Sequence, residues 1–532
     1  MASGEAIFDV KATAPVNNTN LIYRHVTPTS PPRLSPLEGF MPRAYVRQIF
    51  CFLTTNPQAV GTLSRGLFGL ARDVPYVLSR VISDKSRTTG SGVAISTPCQ
   101  SPEDIFSWHD LSQSIDYATL KAGHFAPGAF LAPGVIPPDT LPPYPASPAV
   151  FLARASLVHG GLILCVAVHH VVTDITGFDA LLKIWAAYCR GGSSRDVGFD
   201  VSWMDRSPLF SVTESSSSGA PMPELLHIKT PEETIRGTRP GTGTEKKNYQ
   251  TGIFYFPRRH LRALKEAVNL HVAEQEAGSW VSTSDILSSL LWNTVIGAQE
   301  HTDSEEAVTH KDTRVSTLSF PVQFRAALRP ELPRNFLGAA FLMTSARVPH
   351  EDVRLISSRF GNNSVASTAL EQGVTPQSQA DVDVEGLARS VVDISALAKA
   401  ALAIRRSVQG IDDAAVREVL AYLEAHPGIA NPKAPLVLGP PRCEAGGSAT
   451  SVVSWADQCV YKLDWGDAVG PCDTVRLAKM AYKRDPIVLP HIPSCDGDGG
   501  GVEVIMSYEA DLMQRVMEWP VMKQFATLLC LS

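Results

Sequence analysis

The chain has 532 residues, 44% of them hydrophobic and 19% charged, with a formal net charge of −6 and a sequence pI near 6.2. That length suffices for two or more domains with cores of their own, and the composition excludes a disordered chain. The acidic balance argues against a dedicated nucleic-acid binder, and no apolar run approaches the ~20 residues that a membrane-crossing helix needs. The first residues, MASGEAIFDVKA, carry acids where a signal peptide has an apolar core. Nine scattered cysteines without C-x-x-C pairs read as free thiols in a reducing, cytoplasmic compartment.

Residues 1–35 are rich in Pro and Thr. In RLSPLEGFMPRAYVRQIFCFLTT, Ser35-Pro36 starts a turn and Tyr45 to Leu53 reads as a strand. Leu63 to Val81 is apolar at helical spacing, and Pro133 to Pro148 is a proline-dense loop. Ala149 to Val158 reads as a strand, with a hairpin signal at Gly160-Gly161.

The most informative stretch follows. Leu162 to Val168 is an unbroken apolar run, the length of a fully buried strand. His169 and His170 end it. Phe178, Leu181, Leu182, Trp185, Ala186 and Cys189 then fall on one face of a helix. Asp174 or Thr176 can cap that helix, Asp179 suits its first turn and Arg190 its last, and Gly191-Gly192 ends it. A histidine at the end of a core strand has a rigid backbone and can still reach a cleft. Its imidazole can act as a base near neutral pH, and a nearby carboxylate can fix the tautomer or hold the turn. The same pattern is equally met by a strand-end histidine and a cap aspartate without chemistry. No third ligand cluster lies nearby to make a zinc site.

Residues 207–247 include SSSSGAPMP and GTRPGTGTEKK, linker-like and poor in apolar residues, so a boundary is placed there between residues 1–206 and 248–532. Beyond it, Tyr249 to Phe256 reads as a strand and Leu261 to Leu270 as a helix. In VSTSDILSSLLWNTVIGAQ, Ser282, Thr283 or Ser284 can cap a helix reaching about Gln299 and burying Ile286, Leu287, Leu290, Leu291 and Val295. Its start is either an ordinary cap or a place where free N–H groups meet a phosphate. Thr317 to Phe324 reads as a strand ending at Arg325, followed by the proline turn LRPELPRNFLGAAFLM. Residues 362–380 and 432–447 read as loops, and Glu385 to Val408 and Ala414 to Ala425 as helices. Ser451 to Trp455 and Cys459 to Leu463 read as strands leading to LDWGDAVGP. Pro486 to His491 starts a short strand. DGDGGGVEVIMSYEADLMQRVMEWP gives a turn, an alternating strand and a helix ended by Pro520. Walker, G-x-S-x-G, H-E-x-x-H, calcium-loop and dinucleotide-fingerprint spacings are absent.

HHVVTDITG resembles the HxxxD active-site motif of the BAHD acyltransferases, and LDWGDAVG resembles their second motif, usually written DFGWG. RLSPLEGFMPRAYVRQIFCF, DRSPLF, VSTSDILSSLLW, FRAALRPELPRNFLGAAF and DGGGVEVIMSYEADLM each resemble a family block, in order, over nearly the whole chain. Several look most like the fungal branch that includes trichothecene 3-O-acetyltransferase. There are departures. Ile175 follows Asp174 where many members have Gly; Trp465, Asp467 and Ala468 replace Phe, Trp and the second Gly. Ala339 stands where many have Asn, and Val453 where some plant members have a hydroxyl.

The resemblance implies an α/β fold of two chloramphenicol-acetyltransferase-like domains, each a mixed sheet with flanking helices, and a channel between them. It makes His170 the general base, with no acyl-enzyme, and Asp174 a residue that turns away from substrate to pair with Arg325. Asp464, Trp465 and Gly466 would brace the structure away from the chemistry. Ser282, Thr283 and Ser284 would face the phosphate or pantetheine of coenzyme A. Acyl-CoA, acetyl-CoA first, would be a co-substrate, with no resident cofactor or metal. The acceptor would be a hydroxyl, or an amine, of a small secondary metabolite. A monomer without nucleic-acid or membrane partners is expected. A catalytically silent binding or channelling protein of the same fold, and a condensation-like unit using a carrier-protein thioester, are the alternatives. The latter family usually has Gly directly after the Asp, unlike Ile175.

Overall fold

The computed structural model describes residues 32–84, 92–210, 221–228, 248–300, 314–357, 391–426, 430–431, 434–438, 448–479, 482, 484–493 and 500–532. A first mixed sheet has the strand order Cys472–Arg476, Tyr45–Phe52, Gly161–His169, Phe151–Val158, Phe106–Asp110. Its neighbours are antiparallel except the last pair. Gly161–His169 is buried along its whole length, as its unbroken apolar run predicts, because strands cover both edges and side chains cover both faces. Helix Ala59–Asp73 lies against helix Ile175–Cys189, and the Trp185 indole donates to the Leu63 carbonyl at 2.8 Å. A Cβ on Gly66 would stand 2.4 Å from Cys189 Sγ, so this glycine permits the two helices to approach.

A second sheet has the order Val453–Ser454, Arg484–Val488, Gly501–Glu509, Tyr249–Pro257, Thr527–Leu531, and a third has the order Phe341–Pro349, Val315–Gln323, Ser448–Ser451. The stretch Ser448–Ser454 leaves the third sheet and enters the second, with the Val452 N–H on the Ser319 carbonyl at 3.1 Å. Helices Arg258–Gln275, Thr283–Glu300 and Ile394–Gln409 pack into a shared core with Phe254, Val504 and Met506 of the second sheet. Thr283–Glu300 buries the five expected side chains and also Trp292, Asn293, Thr294 and Ile296, so it is an interior helix.

The sequence expectations are revised at several places. The segment Leu63 to Val81 is helical to Asp73, then a short 3-10 turn at Pro75–Leu78 and a strand from Val81; Pro75 stops the helix. Cys459 to Leu463 holds a 3-10 turn, Val460–Lys462, instead of a strand. Ser451 to Trp455 is divided between two sheets. Within 432–447, Ala434–Leu438 is a strand paired with Leu226–Ile228. Gly501–Glu509 is buried throughout save its last residue, with no alternation. Pro520 opens a further helix, Pro520–Phe525, and a final strand follows at Thr527–Leu531. The helix expected from Glu385 to Val408 is seen from Ile394, where Asp393 caps it; the loop expected at 362–380 lies outside the described residues, as does most of 207–247.

Candidate active site

The strand Gly161–His169 delivers His169 and His170 at its end, and the chain then makes a 3-10 turn, His170–Val172. His169 is buried, its ring set edge-on to Tyr45 with centroids 5.2 Å apart, and its Nδ1 accepts from the Val171 N–H at 3.4 Å. Burial, then the nearby charges of Arg43 and His170, push its imidazole down to about 4. His169 is therefore neutral and walled in.

His170 is half-buried, with the Phe341 ring 6.1 Å away. Its Nδ1 lies 3.1 Å from the Thr173 carbonyl. A carbonyl can only accept, so Nδ1 carries the proton and Nε2 is the basic nitrogen. Burial lowers the imidazole below its ordinary value, opposed by the Thr173 carbonyl and the Asp174 carboxylate and assisted by Arg484. A neutral imidazole with one nitrogen fixed and the other unprotonated can take a proton from a reacting group.

Asp174 caps helix Ile175–Cys189 through the Gly177 N–H at 2.9 Å and accepts two 2.8 Å bonds from Arg325. It also accepts the Ala340 N–H at 2.9 Å. Burial works to raise this carboxyl, and Arg325 with these hydrogen bonds overcomes it and leaves it below the usual carboxylate range. Arg325 also donates to the carbonyls of Phe336 and Gly338 at 2.9 and 3.0 Å. Asp174 thus faces Arg325 and the 336–340 loop, whereas His170 is tied to its own turn. Gly177 is required: a Cβ there would lie 2.3 Å from Thr173 Oγ1 and 2.6 Å from the Leu337 carbonyl.

A second buried ion pair stands beside the first, and sequence reasoning did not single it out. Arg206 Nε lies 2.9 Å from both carboxylate oxygens of Glu38, and both side chains are almost fully buried. The signal was present: each residue is the charged member of a short proline-containing block, SPLEG and DRSPL.

The remaining expected residues lie apart. Asp464 accepts the Gly466 N–H at 2.9 Å, and Trp465 is buried with its ring against Phe52 and Trp185. Ser282 is committed to a reciprocal cap with Asp285, whose carboxylate is paired with Arg405. Thr283 and Ser284 form the first turn of that helix. Val453 joins an apolar cluster with Val46, Ile175, Trp455 and Ile487, which stitches the first sheet to the second beside the His170 turn. Among the described residues no group of His, Cys, Asp and Glu side chains could hold a metal ion, and no helix is long and apolar enough to cross a membrane.

A model of the Transferase family matches residues 135–363, and one of the trichothecene 3-O-acetyltransferase-like N-terminal domain matches residues 45–189. The chain is 24% identical to the O-acetyltransferase astG of Aspergillus oryzae, over 84% of this chain and 92% of that protein. It is 27% identical to the trichothecene 3-O-acetyltransferase TRI101 of Fusarium sporotrichioides, over 44% of this chain and 51% of that protein. The crystal structure of F. sporotrichioides TRI101 with coenzyme A and T-2 superposes with a TM-score of 0.64 at 18% identity, covering 93% of this chain and 99% of that one. That of F. graminearum TRI101 with coenzyme A and T-2 mycotoxin gives 0.66 at 17% identity, covering 94% and 100%. The fold is the two-domain mixed α/β architecture of those structures.

Proposed function

We propose that the chain is a BAHD acyltransferase of the fungal branch that includes trichothecene 3-O-acetyltransferase, and that it transfers an acyl group, acetyl first, from coenzyme A to a hydroxyl of a small secondary metabolite such as a terpenoid, alkaloid or polyketide. The observation that carries this reading is the state of His170. Its Nδ1 proton is held by the Thr173 carbonyl, so Nε2 presents a lone pair, for which no protein partner stands among the described residues.

In the proposed reaction Nε2 takes the acceptor's hydroxyl proton as the oxygen attacks the thioester carbon. The tetrahedral oxyanion collapses, the carbon–sulfur bond breaks, and the imidazolium returns its proton to the coenzyme A thiolate. No acyl-enzyme forms. Asp174 acts through the turn and through Arg325, not on substrate. Thr283 and Ser284, with N–H groups at a helix start, are offered to coenzyme A, while Ser282 supports them from its cap with Asp285. The reading keeps the division into residues 1–206 and 248–532 with 207–247 between them, and takes the protein as a cytoplasmic monomer.

Support comes from the relatives, named as O-acetyltransferases, and from neighbours solved with coenzyme A. Purified protein incubated with acetyl-CoA and a panel of hydroxylated terpenoids, alkaloids and polyketides, read by mass spectrometry, tests it. An acetylated product that disappears in His170→Ala is expected. Binding without turnover, or turnover with carrier-protein thioesters alone, would overturn it.

A further inference from the structure

The Asp174–Arg325 pair reaches the His170 turn from its C-terminal side. A second buried pair reaches the turn itself, at its last residue. Arg206 Nη2 donates to the Val172 carbonyl at 3.1 Å, and Val172 is the last residue of the 3-10 turn that His170 opens. Arg206 Nη1 donates to the Met204 carbonyl at 3.2 Å, and Nε is held by Glu38. Glu38 in turn accepts the Ser35 N–H at 2.7 Å and the Ala339 N–H at 3.3 Å. The adjacent N–H groups of Ala339 and Ala340 therefore go to two different carboxylates, Glu38 and Asp174. Immediately after them comes Phe341, whose ring stands against His170. The Phe336 ring lies under both guanidiniums, 5.9 Å from Arg206 and 5.8 Å from Arg325.

We propose that Glu38 and Arg206 are positioning residues for the base: together they fix the Val172 carbonyl and the Ala339 N–H, and so set His170 and Phe341 relative to each other. The inference rests on the acyl-transfer reading for its effect on rate, and on geometry alone for its effect on His170. A buried ion pair is a weak source of stability, since its desolvation offsets its attraction, and fixing one arrangement is its better-attested use. The fork geometry matters here. One guanidinium spans Glu38, Val172 and Met204, and a lysine ammonium cannot reach all three.

The test uses full-length protein carrying Arg206→Lys, Glu38→Gln, or the double change Glu38→Gln/Arg206→Met. The double variant leaves no unpaired buried charge, and so keeps the experiment readable if a single variant fails to fold. Carbethoxylation of His170 by diethyl pyrocarbonate, resolved from His169 by mass spectrometry and followed against pH, reports the imidazole without acceptor or coenzyme A. Loosening the turn lets water reach the ring. The midpoint of the labelling profile should then move upward toward about 6.5, because burial, which holds it down, is the largest influence on it, ahead of the Thr173 carbonyl and Asp174, which raise it, and of Arg484. In acetyl transfer, kcat should fall by roughly 10²-fold, the scale of a small misplacement of a reacting group, with KM for acetyl-CoA little changed. A lowered melting temperature with an unshifted labelling midpoint and unchanged kcat per folded molecule would overturn the proposal and leave the pair merely structural. Absence of turnover in the unaltered protein would instead overturn the acyl-transfer reading, while the labelling shift would still decide the positioning claim.

Discussion

Two adjacent histidines differ because one peptide step carries the chain from a strand into a 3-10 turn. His169 still belongs to the strand and is packed against Tyr45; His170 begins the turn and is half-buried. His170→Ala should therefore remove roughly 10²–10⁴-fold of the transfer rate. Coenzyme A affinity by calorimetry should stay near that of the unaltered protein, because the imidazole acts on the acceptor's proton. Retention of most turnover would reassign the base. The rate should also fall on acidification, since imidazolium cannot accept a proton. Burial lowers the His170 imidazole, so the acidic limb of kcat/KM should lie below about 6.5. His169 has a different acid signature. Its folded value, about 4, is below the unfolded value of about 6.5, so between these the unfolded chain binds more protons. The contribution of His169 is complete above about pH 6.5 and is lost as pH falls toward 4, by about 3 kcal/mol in all. In His169→Asn the amide oxygen can still accept the Val171 N–H, and the urea midpoint should drop less between pH 7 and pH 5 than in the unaltered protein. Equal drops would remove the assignment.

At the scale of elements, His170, the proposed base, sits on a turn beside a helix start and a loop that are tied through one carboxylate. Asp174 joins the start of Ile175–Cys189, Arg325 just past Val315–Gln323, and the Ala340 N–H just before Phe341–Pro349. Asp174→Ala would leave Arg325 charged and buried with its carboxylate gone, at a cost of roughly 3–5 kcal/mol. A clear fall in melting temperature together with lost activity is expected; an unchanged melting temperature would show that the pair is not a brace. Much of this unit is legible in sequence. The apolar run, the H-x-x-x-D spacing and the helical periodicity place the strand, the turn and the cap within a residue or two. What sequence does not carry is the meeting of distant segments. Neither the Arg206 contact with Val172 nor the Glu38 contact with Ala339 has a local periodicity, and Cys459 to Leu463 is apolar enough for a strand yet is bent into a 3-10 turn. That segment is also held by the Asp179 carboxylate, which accepts the Cys459 N–H at 2.9 Å. The helical pattern marked Asp179 as a first-turn acid, but not as a contact across the molecule.

At the scale of the whole molecule, the second motif sits where the chain returns to its beginning. Cys472–Arg476 is the edge strand of the first sheet, beside Tyr45–Phe52. Val460, Trp465, Val469 and Val475 belong to the core built around Trp185 and Phe52. The Gln48 and Gln458 side chains add an amide pair at 2.6 Å. Gly466 has φ +79°, and a Cβ there would meet Arg190 Cα at 2.9 Å, so the motif abuts the C-terminal end of the helix that Asp174 starts. The other end of that helix, capped by Asp174, follows the turn that carries His170. Sequence order could not reveal that contact, because residues more than 270 apart share the core. Trp465 gives the sharpest test. Its ring packs edge-on to Phe52 and Trp185 at 5.8 and 5.5 Å. Its indole nitrogen is buried without a hydrogen-bond partner among the described residues. Trp465→Phe therefore gives up some volume but also removes an unsatisfied buried donor, and the two effects oppose each other. The change should cost less than about 1.5 kcal/mol, despite replacing the largest side chain in the motif. Trp465→Ala removes the same donor but gives up far more packing, and should cost roughly 3–5 kcal/mol. Turnover per folded molecule should stay within a few-fold of the unaltered protein in Trp465→Phe, because the Gly466 contact with the helix end is kept. Urea unfolding of the two variants, followed beside single-turnover acetyl transfer, separates the effects. If Trp465→Phe proves as damaging to stability as Trp465→Ala, the indole N–H has a partner and the motif is held by more than packing.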